Sequence, residues 1–229
     1  GRRALPLAAY TTDPGEAFHE RFFSLCGDAR SLHRELATPP LGGLTNLAQG
    51  ILFWKEHLGA DFDKVWKILP FPQYLAFRLT GRPAADTTYM GCHSSLYDFR
   101  TGGYSHVVDT LGIRDRLPDR IAPSGEVLGT VSPEAAERTG LSPETLVVHG
   151  IHDSNASLLP FLIQSDEPFV LNSTGTWCVA MSPADNAELS EADMDAGVFC
   201  NCSAFGHPVR TSIFMGGQER AVWMDLLEQ

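Results

Sequence analysis

The sequence changes character near residue 143, and this change constrains the fold more than any other feature. Before it, helix signals recur, as in Ser132-Pro133-Glu134 followed by Gly140: Ser is a preferred N-cap, Pro a preferred first position and Gly a preferred C-terminal stop. Beyond it, the short apolar runs 145–148 and 177–181 have the length and composition of strands. The mixture predicts an α/β or α+β fold.

Charge follows the same division. Residues 1–143 carry 15 basic and 16 acidic residues, whereas residues 144–229 carry 2 basic and 12 acidic ones. We therefore expect a domain boundary near residue 143. The net charge of −11 argues against nucleic acid or an anionic membrane as the main partner. Five cysteines, an odd number, indicate a reducing compartment, so we expect a cytoplasmic protein.

Local signals predict further elements. Asp13-Pro14-Gly15-Glu16 is typical of a helix start, with Asp13 as the N-cap and Pro14 in the first position, and that helix should end at Gly27. Thr45 is a candidate cap for a second helix that ends at Gly59, and Pro72 begins a third that ends at Gly81. The remaining predicted elements are a helix from Asp153 and strands at 169–172, 197–200 and 209–213.

The segment His149-Gly150-Ile151-His152-Asp153-Ser154-Asn155 lies between a predicted strand and a predicted helix. Asp153 has two interpretations there. As structure, it is an N-cap that accepts from the first backbone N–H groups, and its position alone favours this. As function, it is a carboxylate at the end of a strand, where open α/β sheets place their ligands.

A second candidate is Ser173-Thr174-Gly175-Thr176-Trp177, a turn between two apolar runs. Taken alone, the pattern favours an ordinary hairpin turn in which glycine supplies a positive φ. Such a turn can also present backbone N–H groups to a phosphate. The charge distribution supports this second interpretation, because a part of net charge −10 has almost no cationic side chains to offer.

Together these stretches resemble the FGGY carbohydrate kinases, which share a superfamily with actin and the heat-shock chaperone ATPases. The resemblance runs over nearly the whole chain in the family's order. Its segments are Leu69 to Gly81, which ends in Leu-Thr-Gly; Asp86-Thr87-Thr88 through Leu96-Tyr97-Asp98; Gly150-Ile151-His152-Asp153; and Ser173 to Trp177.

The resemblance implies part of a two-lobe RNase H-like α/β kinase fold, with helical elaborations in the first lobe. Residues 1–143 would be the C-terminal part of the first, sugar-binding lobe, and residues 144–229 the N-terminal part of the second, ATP-binding lobe. The implied activity is ATP-dependent phosphorylation of a ketose or polyol hydroxyl. The implied partner is a small-molecule sugar, and a homodimer is one compatible assembly.

The resemblance also implies roles for individual residues. Asp153 would be the general base, because a carboxylate in hydrogen-bond reach can accept the hydroxyl proton. Asp153 would also bind Mg²⁺, which offsets the charge of ATP. His152 would contact the sugar. The phosphates of ATP would be bound by Ser173, Thr174, Gly175 and Thr176.

The sequence also departs from the family pattern. No Asp-x-Gly-Thr phosphate loop precedes Tyr10, and the family's Gly-Gly adenosine-binding segment is missing beyond Gln229. Ile51 stands three residues before Trp54, where many members have Lys. We therefore expect an interior part of a longer kinase, inactive by itself.

Two alternatives stay open on the sequence. One is a metal-dependent phosphohydrolase in which His149, His152 and Asp153 bind the metal. The other is a sugar- or nucleotide-binding regulator on the same fold without catalysis. The remaining histidines, His93 among them, are interpreted as surface or packing residues, and Trp54 as a core residue. Cys200 and Cys202 are expected at alternate strand positions rather than in a zinc site.

Overall fold

The computed structural model describes residues 8–164, 167–175 and 177–227. Its α-helices are α1 (Glu16–Cys26), α2 (Ala29–Leu36), α3 (Leu47–Leu58), α4 (Phe71–Thr80), α5 (Thr87–Met90), α6 (His106–Thr110), α7 (Pro133–Thr139), α8 (Asp153–Gln164), α9 (Glu191–Asp195) and α10 (Gly216–Leu227). Its strands are β1 (Tyr97–Asp98), β2 (Gly103–Tyr104), β3 (Val127–Thr130), β4 (Leu146–Val148), β5 (Leu171–Thr174), β6 (Cys178–Pro183), β7 (Phe199–Cys202) and β8 (Pro208–Phe214). The predicted mixture of helices and strands is confirmed.

The helices before residue 111 enclose the main apolar core. In α1, Phe18, Phe22 and Cys26 recur every four residues, so they lie on one face of the helix and are all buried. Ile51 and Leu52 of α3 are buried in the same cluster. Removing these side chains from water is the main favourable contribution to folding here.

Helix caps explain where several helices begin. Ser132 caps α7 and Gly140 ends it in the left-handed conformation, as predicted. Asn46, rather than Thr45, caps α3: its Oδ1 accepts from the N–H groups of Ala48 and Gln49. The prediction that Asp13 caps α1 was wrong, because Gly15, at φ 89°, separates that residue from the helix.

Helix α2 was missed by the sequence analysis. Asp28 caps it by accepting from Ser31 N at 3.0 Å, one residue after the glycine that ends α1. Only two residues separate α1 from α2. The sequence analysis therefore took Gly27 as the end of a single helix and did not recognise the second one. Strand β3 was missed as well, because its four residues include a glycine and lack alternating polarity.

A four-stranded antiparallel sheet follows, in the order β5-β6-β8-β7. Thr174 pairs with Cys178, so the β5–β6 turn comprises only three residues. Strands β5 and β7 begin two residues later than predicted. Cys200 and Cys202 lie at alternate positions of β7, which confirms that expectation.

A separate antiparallel pair joins β3 to β4, with Val127 opposite Val148. Strand β3 precedes residue 143 in the sequence and β4 follows it, so this pair joins the two parts of the chain. The division of the chain at that residue stays a prediction.

Close packing joins the sheet to the helical core. Cys202 of β7 is fully buried within the core cluster that also holds Met90 and Leu96. Gly91, directly after α5, makes the approach possible: a Cβ there would lie 2.4 Å from the Cβ of Cys202 and 2.8 Å from the carbonyl oxygen of Thr87. Only glycine fits at this contact, and the next two residues enter the site described below.

Candidate active site

A cleft of about 920 Å³ lies where the helical core meets the sheet. Its walls are mostly apolar and aromatic, and include Tyr10, Trp54, Tyr89 and Trp177. Among the described residues that line it, Asp153 is the single acidic side chain, and none is Lys or Arg. A concave, largely apolar site with few polar groups is the usual form of a small-molecule site.

Asp153 is the first residue of α8, and its side chain is 94% exposed to the cleft. Its Oδ1 accepts from Ser154 N, the next residue, at 2.7 Å. An N-cap accepts instead from residues two or three positions on, so this contact is not a capping bond. The carboxylate keeps most of its acceptor positions for a ligand.

His152 lies next to it and is largely buried. Its backbone N–H donates to Thr88 Oγ1 at 2.9 Å, and its Nε2 lies 3.6 Å from Cys92 Sγ. Its Nδ1 is 3.3 Å from Asp153 Oδ1, but the angle does not suit a hydrogen bond and this buried nitrogen has no partner. Burial lowers the pKa of His152, against the opposing effect of the Asp153 carboxylate, so the ring is neutral at pH 7.

A buried polar network holds this segment from below. Asp86, fully buried, accepts from Thr88 N at 2.9 Å and from the Thr88 hydroxyl. Gln73 Nε2 also donates to Asp86, at 2.5 Å. The Thr88 hydroxyl thus donates to Asp86 and accepts from the backbone of His152. This chain of bonds fixes where α8 begins, and with it the position of Asp153.

Cys92 and His93 occupy the same wall of the cleft. His93 has a left-handed backbone, φ 36°, which is uncommon for a residue with a side chain, and its Nδ1 is 3.0 Å from the carbonyl oxygen of Thr45. Burial lowers the pKa of His93 to about 4, and burial raises the pKa of the Cys92 thiol. His93 was expected to be a surface or packing residue, and the structure places its ring in the cleft wall against that of His152.

Three ligand atoms, one each from Cys92, His93 and His152, lie within 4.8 Å of one another. Within the described ranges, this is the one group of three or more such side chains at metal-binding distance. The phosphohydrolase alternative requires His149, His152 and Asp153 to lie together around one metal ion. The structure does not bring His149 together with the other two. No signal in the sequence indicated the group that does form, because Cys92 and His152 are 60 residues apart.

The end of β5 brings Ser173 and Thr174 to the cleft, and the turn that follows brings Gly175. Gly175 is not in the left-handed region, and a Cβ there would meet only Trp177 O at 3.7 Å, an ordinary contact. The expected positive φ is therefore absent. The Gly175 N–H donates to Trp177 O at 3.0 Å, so this amide is engaged within the turn. Thr176 lies outside the described residues.

Two other cleft residues were not identified as binding residues from the sequence. Trp54 lines the cleft, whereas its neighbour Phe53 packs on the core as expected. Asn201 of β7 is 2% exposed, and its Oδ1 has no hydrogen-bond partner. A buried amide oxygen left unpaired at a cleft wall is a ready acceptor for a polar ligand.

The chain thus has a mixed α/β fold with a cleft of small-molecule size that holds one exposed carboxylate among its described lining residues. Residues 46–160 match the family model described as "FGGY family of carbohydrate kinases, N-terminal domain", and residues 166–228 match "Carbohydrate kinase FGGY, C-terminal domain". The chain belongs to the FGGY family of carbohydrate kinases. Kinases of this family use ATP and act on small-molecule sugars.

Named relatives agree with this assignment. The chain is 31% identical over 156 residues to L-fuculokinase of Escherichia coli (strain K12), covering 68% of this chain and 32% of the relative. It is 31% identical over 135 residues to L-xylulose/3-keto-L-gulonate kinase of the same strain, covering 56% of this chain and 26% of the relative. The chain thus spans about a third or less of the length of these relatives.

Solved structures confirm the kinase-superfamily fold. A carbohydrate kinase from Novosphingobium aromaticivorans superposes with a TM-score of 0.80 and 34% identity, over 95% of this chain and 46% of that one. A xylulose kinase from Rhodospirillum rubrum, at 18% identity, superposes with a TM-score of 0.73 over 86% of this chain and 39% of that one. Among the described residues, no helix is both long and apolar enough to cross a membrane.

Proposed function

We propose that the natural protein containing this sequence phosphorylates a hydroxyl of a small ketose with ATP. Family membership supports the reaction, and the relatives named L-fuculokinase and L-xylulose/3-keto-L-gulonate kinase support the substrate class. In this proposal, residues 1–143 contribute mainly to sugar binding and residues 144–229 to ATP binding. The observation that carries the proposal is the exposed carboxylate of Asp153. It is the one acidic side chain among the described residues that line the aromatic cleft.

Asp153 acts as the general base. A sugar hydroxyl is a weak nucleophile, so a basic group of the protein must accept its proton as the new bond forms. The sugar oxygen bonds to the γ-phosphorus of ATP while the bond from that phosphorus to the leaving ADP oxygen breaks. The hydroxyl proton passes to the Asp153 carboxylate. The exposure of the carboxylate leaves room for the hydroxyl. The hydrogen bond from the His152 backbone to Thr88 fixes the position of the Asp153 backbone.

The walls around Asp153 suit a sugar. Trp54 and Tyr89 offer aromatic faces, against which the C–H surfaces of a sugar can pack. Neutral His152 can donate or accept a hydrogen bond, and the unpaired Oδ1 of Asn201 can accept one from a hydroxyl. These groups would orient the substrate so that one hydroxyl meets Asp153.

The phosphates of ATP would lie against the β5–β6 turn. The described lining offers them no Lys or Arg, so hydroxyl and backbone groups have to serve instead. Ser173 and Thr174 bring hydroxyls, and Gly175 leaves its cleft side open. Thr176 completes this predicted set.

Asp153 fits Mg²⁺ as well, because an exposed carboxylate oxygen is a hard ligand with space for the waters that this ion retains. When bound, Mg²⁺ would neutralise charge on the phosphates.

The direct test measures sugar-dependent ATP turnover of the natural protein over a panel of ketoses and polyols. We expect one ketose to support turnover, and Asp153→Asn to lower kcat about 10²- to 10⁴-fold. The matched control is Asp185→Asn, an exposed carboxylate outside the cleft lining, which should leave kcat unchanged. Sugar binding without any turnover in the natural protein would instead support the regulator alternative.

The assembly and location of the protein belong to the same proposal. We expect a cytoplasmic homodimer, and light scattering of the purified natural protein checks the assembly. A monomeric mass at micromolar concentration would contradict that part without affecting the kinase proposal.

A further inference from the structure

The Cys92, His93 and His152 cluster has the dimensions of a zinc site. Cys92 Sγ and His152 Nε2 are 3.6 Å apart. A sulfur and a nitrogen bound to one Zn²⁺ at tetrahedral angles lie about 3.5 Å apart, given bond lengths of about 2.3 and 2.0–2.1 Å. The full set falls within 4.8 Å, so an adjustment of about 1 Å in the third ligand closes the site.

His93 is oriented as metal-binding histidines usually are, and His152, whose Nδ1 has no hydrogen-bond partner, presents its Nε2 to Cys92. A metal-binding histidine usually bonds through one ring nitrogen to a carbonyl or carboxylate oxygen and binds the metal through the other. His93 Nδ1 bonds to the Thr45 carbonyl oxygen, which leaves its Nε2 with a free lone pair. His152 Nδ1 faces the Asp153 carboxylate at 3.3 Å, and its Nε2 faces Cys92.

The ligand types select the metal. A thiolate with two imidazoles prefers Zn²⁺ and other soft or borderline ions over Mg²⁺ or Ca²⁺. The two histidines bind a metal ion as neutral imidazoles. The Cys92 thiol exchanges its proton for the metal: the S–H bond breaks, an S–Zn bond forms and the proton passes to solvent.

The position of the cluster gives metal binding a consequence. All three residues line the same cleft as Asp153, so the ion can enter from solvent. Three protein ligands leave a fourth position for water or another ligand. An ion and its remaining ligand there would occupy the space beside the carboxylate.

We propose that Cys92, His93 and His152 form a Zn²⁺ site with one open position, and that zinc bound there blocks sugar access to Asp153. Zinc binding itself is independent of the kinase proposal. Its inhibitory effect rests on that proposal.

Binding is tested first on the metal-free natural protein, by Zn²⁺ titration against a competing chelator and by Co²⁺ absorption. We expect one ion per chain and the charge-transfer band of a thiolate bound to Co²⁺. Cys92→Ser should abolish that band, and His93→Asn and His152→Gln should each weaken Zn²⁺ binding at least about tenfold. Matched controls outside the cluster are Cys178→Ser and His207→Gln, which should bind as the unmodified protein does.

Absence of the thiolate band in the unmodified, folded protein would overturn the site, whatever the variants do. So would Zn²⁺ binding that persists in a folded Cys92→Ser variant.

Inhibition is tested separately, with sugar-dependent turnover at buffered free Zn²⁺ and excess Mg²⁺. We expect inhibition that added sugar relieves, and at least about tenfold weaker inhibition in Cys92→Ser. Zinc that binds through Cys92 without raising the KM for sugar would overturn the inhibitory role and leave the site standing. A natural protein without kinase activity would refute the proposed function but not the metal site, because binding is measured without turnover.

Discussion

The two walls of the cleft are built by different means. On the α5 side, Asp86, Thr88 and the His152 backbone form a buried chain of hydrogen bonds. On the β5–β6 side, Thr174 and Gly175 are exposed: Thr174 pairs with Cys178 at the end of β5, and the Gly175 N–H donates to Trp177 O. Buried, multiply bonded groups hold one geometry, whereas an exposed turn tolerates changes. The proposed base, Asp153, therefore lies on the wall whose buried hydrogen bonds fix its position. The proposed phosphate-binding turn lies on the exposed wall, which leaves space for a ligand.

The largest effect is expected at the contact between Gly91 and Cys202, on the α5 side of the cleft. If a larger side chain fits there, the α5 side is not the more rigid wall. A valine at position 91 would place its Cβ 2.4 Å from the Cβ of Cys202, within the buried core. We expect Gly91→Val to lower the free energy of unfolding by at least about 1–3 kcal/mol, or to prevent folding. Chemical denaturation measures this. Gly42→Val is the matched control, because nothing lies within 4 Å of a Cβ there.

The next largest effect concerns the hydroxyl that links the network to the site. Thr88→Val keeps the shape but leaves the His152 N–H and a carboxylate oxygen of Asp86 without this partner. We expect a loss of about 1–3 kcal/mol in the free energy of unfolding, together with lower turnover. Thr88→Ser should restore both. A Thr88→Val protein as stable as the control Thr110→Val, in which the side chain is exposed, would contradict the positioning role.

Asn201 sharpens the comparison, because its side chain is buried but not bonded through its oxygen. If that oxygen serves the sugar, Asn201→Ala should raise the KM for sugar roughly tenfold, the worth of about one hydrogen bond. The melting temperature should hardly change, because no protein hydrogen bond to that oxygen is lost. A large fall in stability with an unchanged KM would assign Asn201 to the fold instead.

The smallest structural effect is expected at the turn. Gly175→Ala adds a methyl group in an allowed conformation with only ordinary contacts, so the melting temperature should not change. The added group would narrow the approach to the turn, so we expect a several-fold rise in the KM for ATP and little change in sugar binding. Unaltered ATP kinetics in this folded variant would remove the phosphate role of the turn.

The sequence predicted those features that depend on neighbouring residues. Helix α7 has both its cap and its stop in the chain itself, and its bounds were found. The helix start at Asp153 was found too, but its capping role was not borne out, because which amides a carboxylate reaches depends on the backbone around it.

Features that depend on distant contacts were not predictable. Cys92 lies beside His152, and the hydrogen bond from the His152 backbone to Thr88 joins the same two distant segments. The side of α3 that carries Trp54 faces the cleft only once the sheet is in place. Neither arrangement leaves a periodic signal in a single sequence, whereas the Gly-x-His-Asp and Ser-Thr-Gly-Thr segments indicated the cleft through family resemblance alone.

The central claim is that Asp153 accepts the substrate proton and does not hold the fold. Calorimetric binding of the preferred sugar to Asp153→Asn, alongside its turnover, tests this most directly. We predict a Kd within about threefold of the unmodified protein, since the amide keeps the shape, with kcat lowered about 10²-fold or more. Near-normal kcat in the folded variant, or loss of sugar binding that alone accounts for lost turnover, would contradict the account.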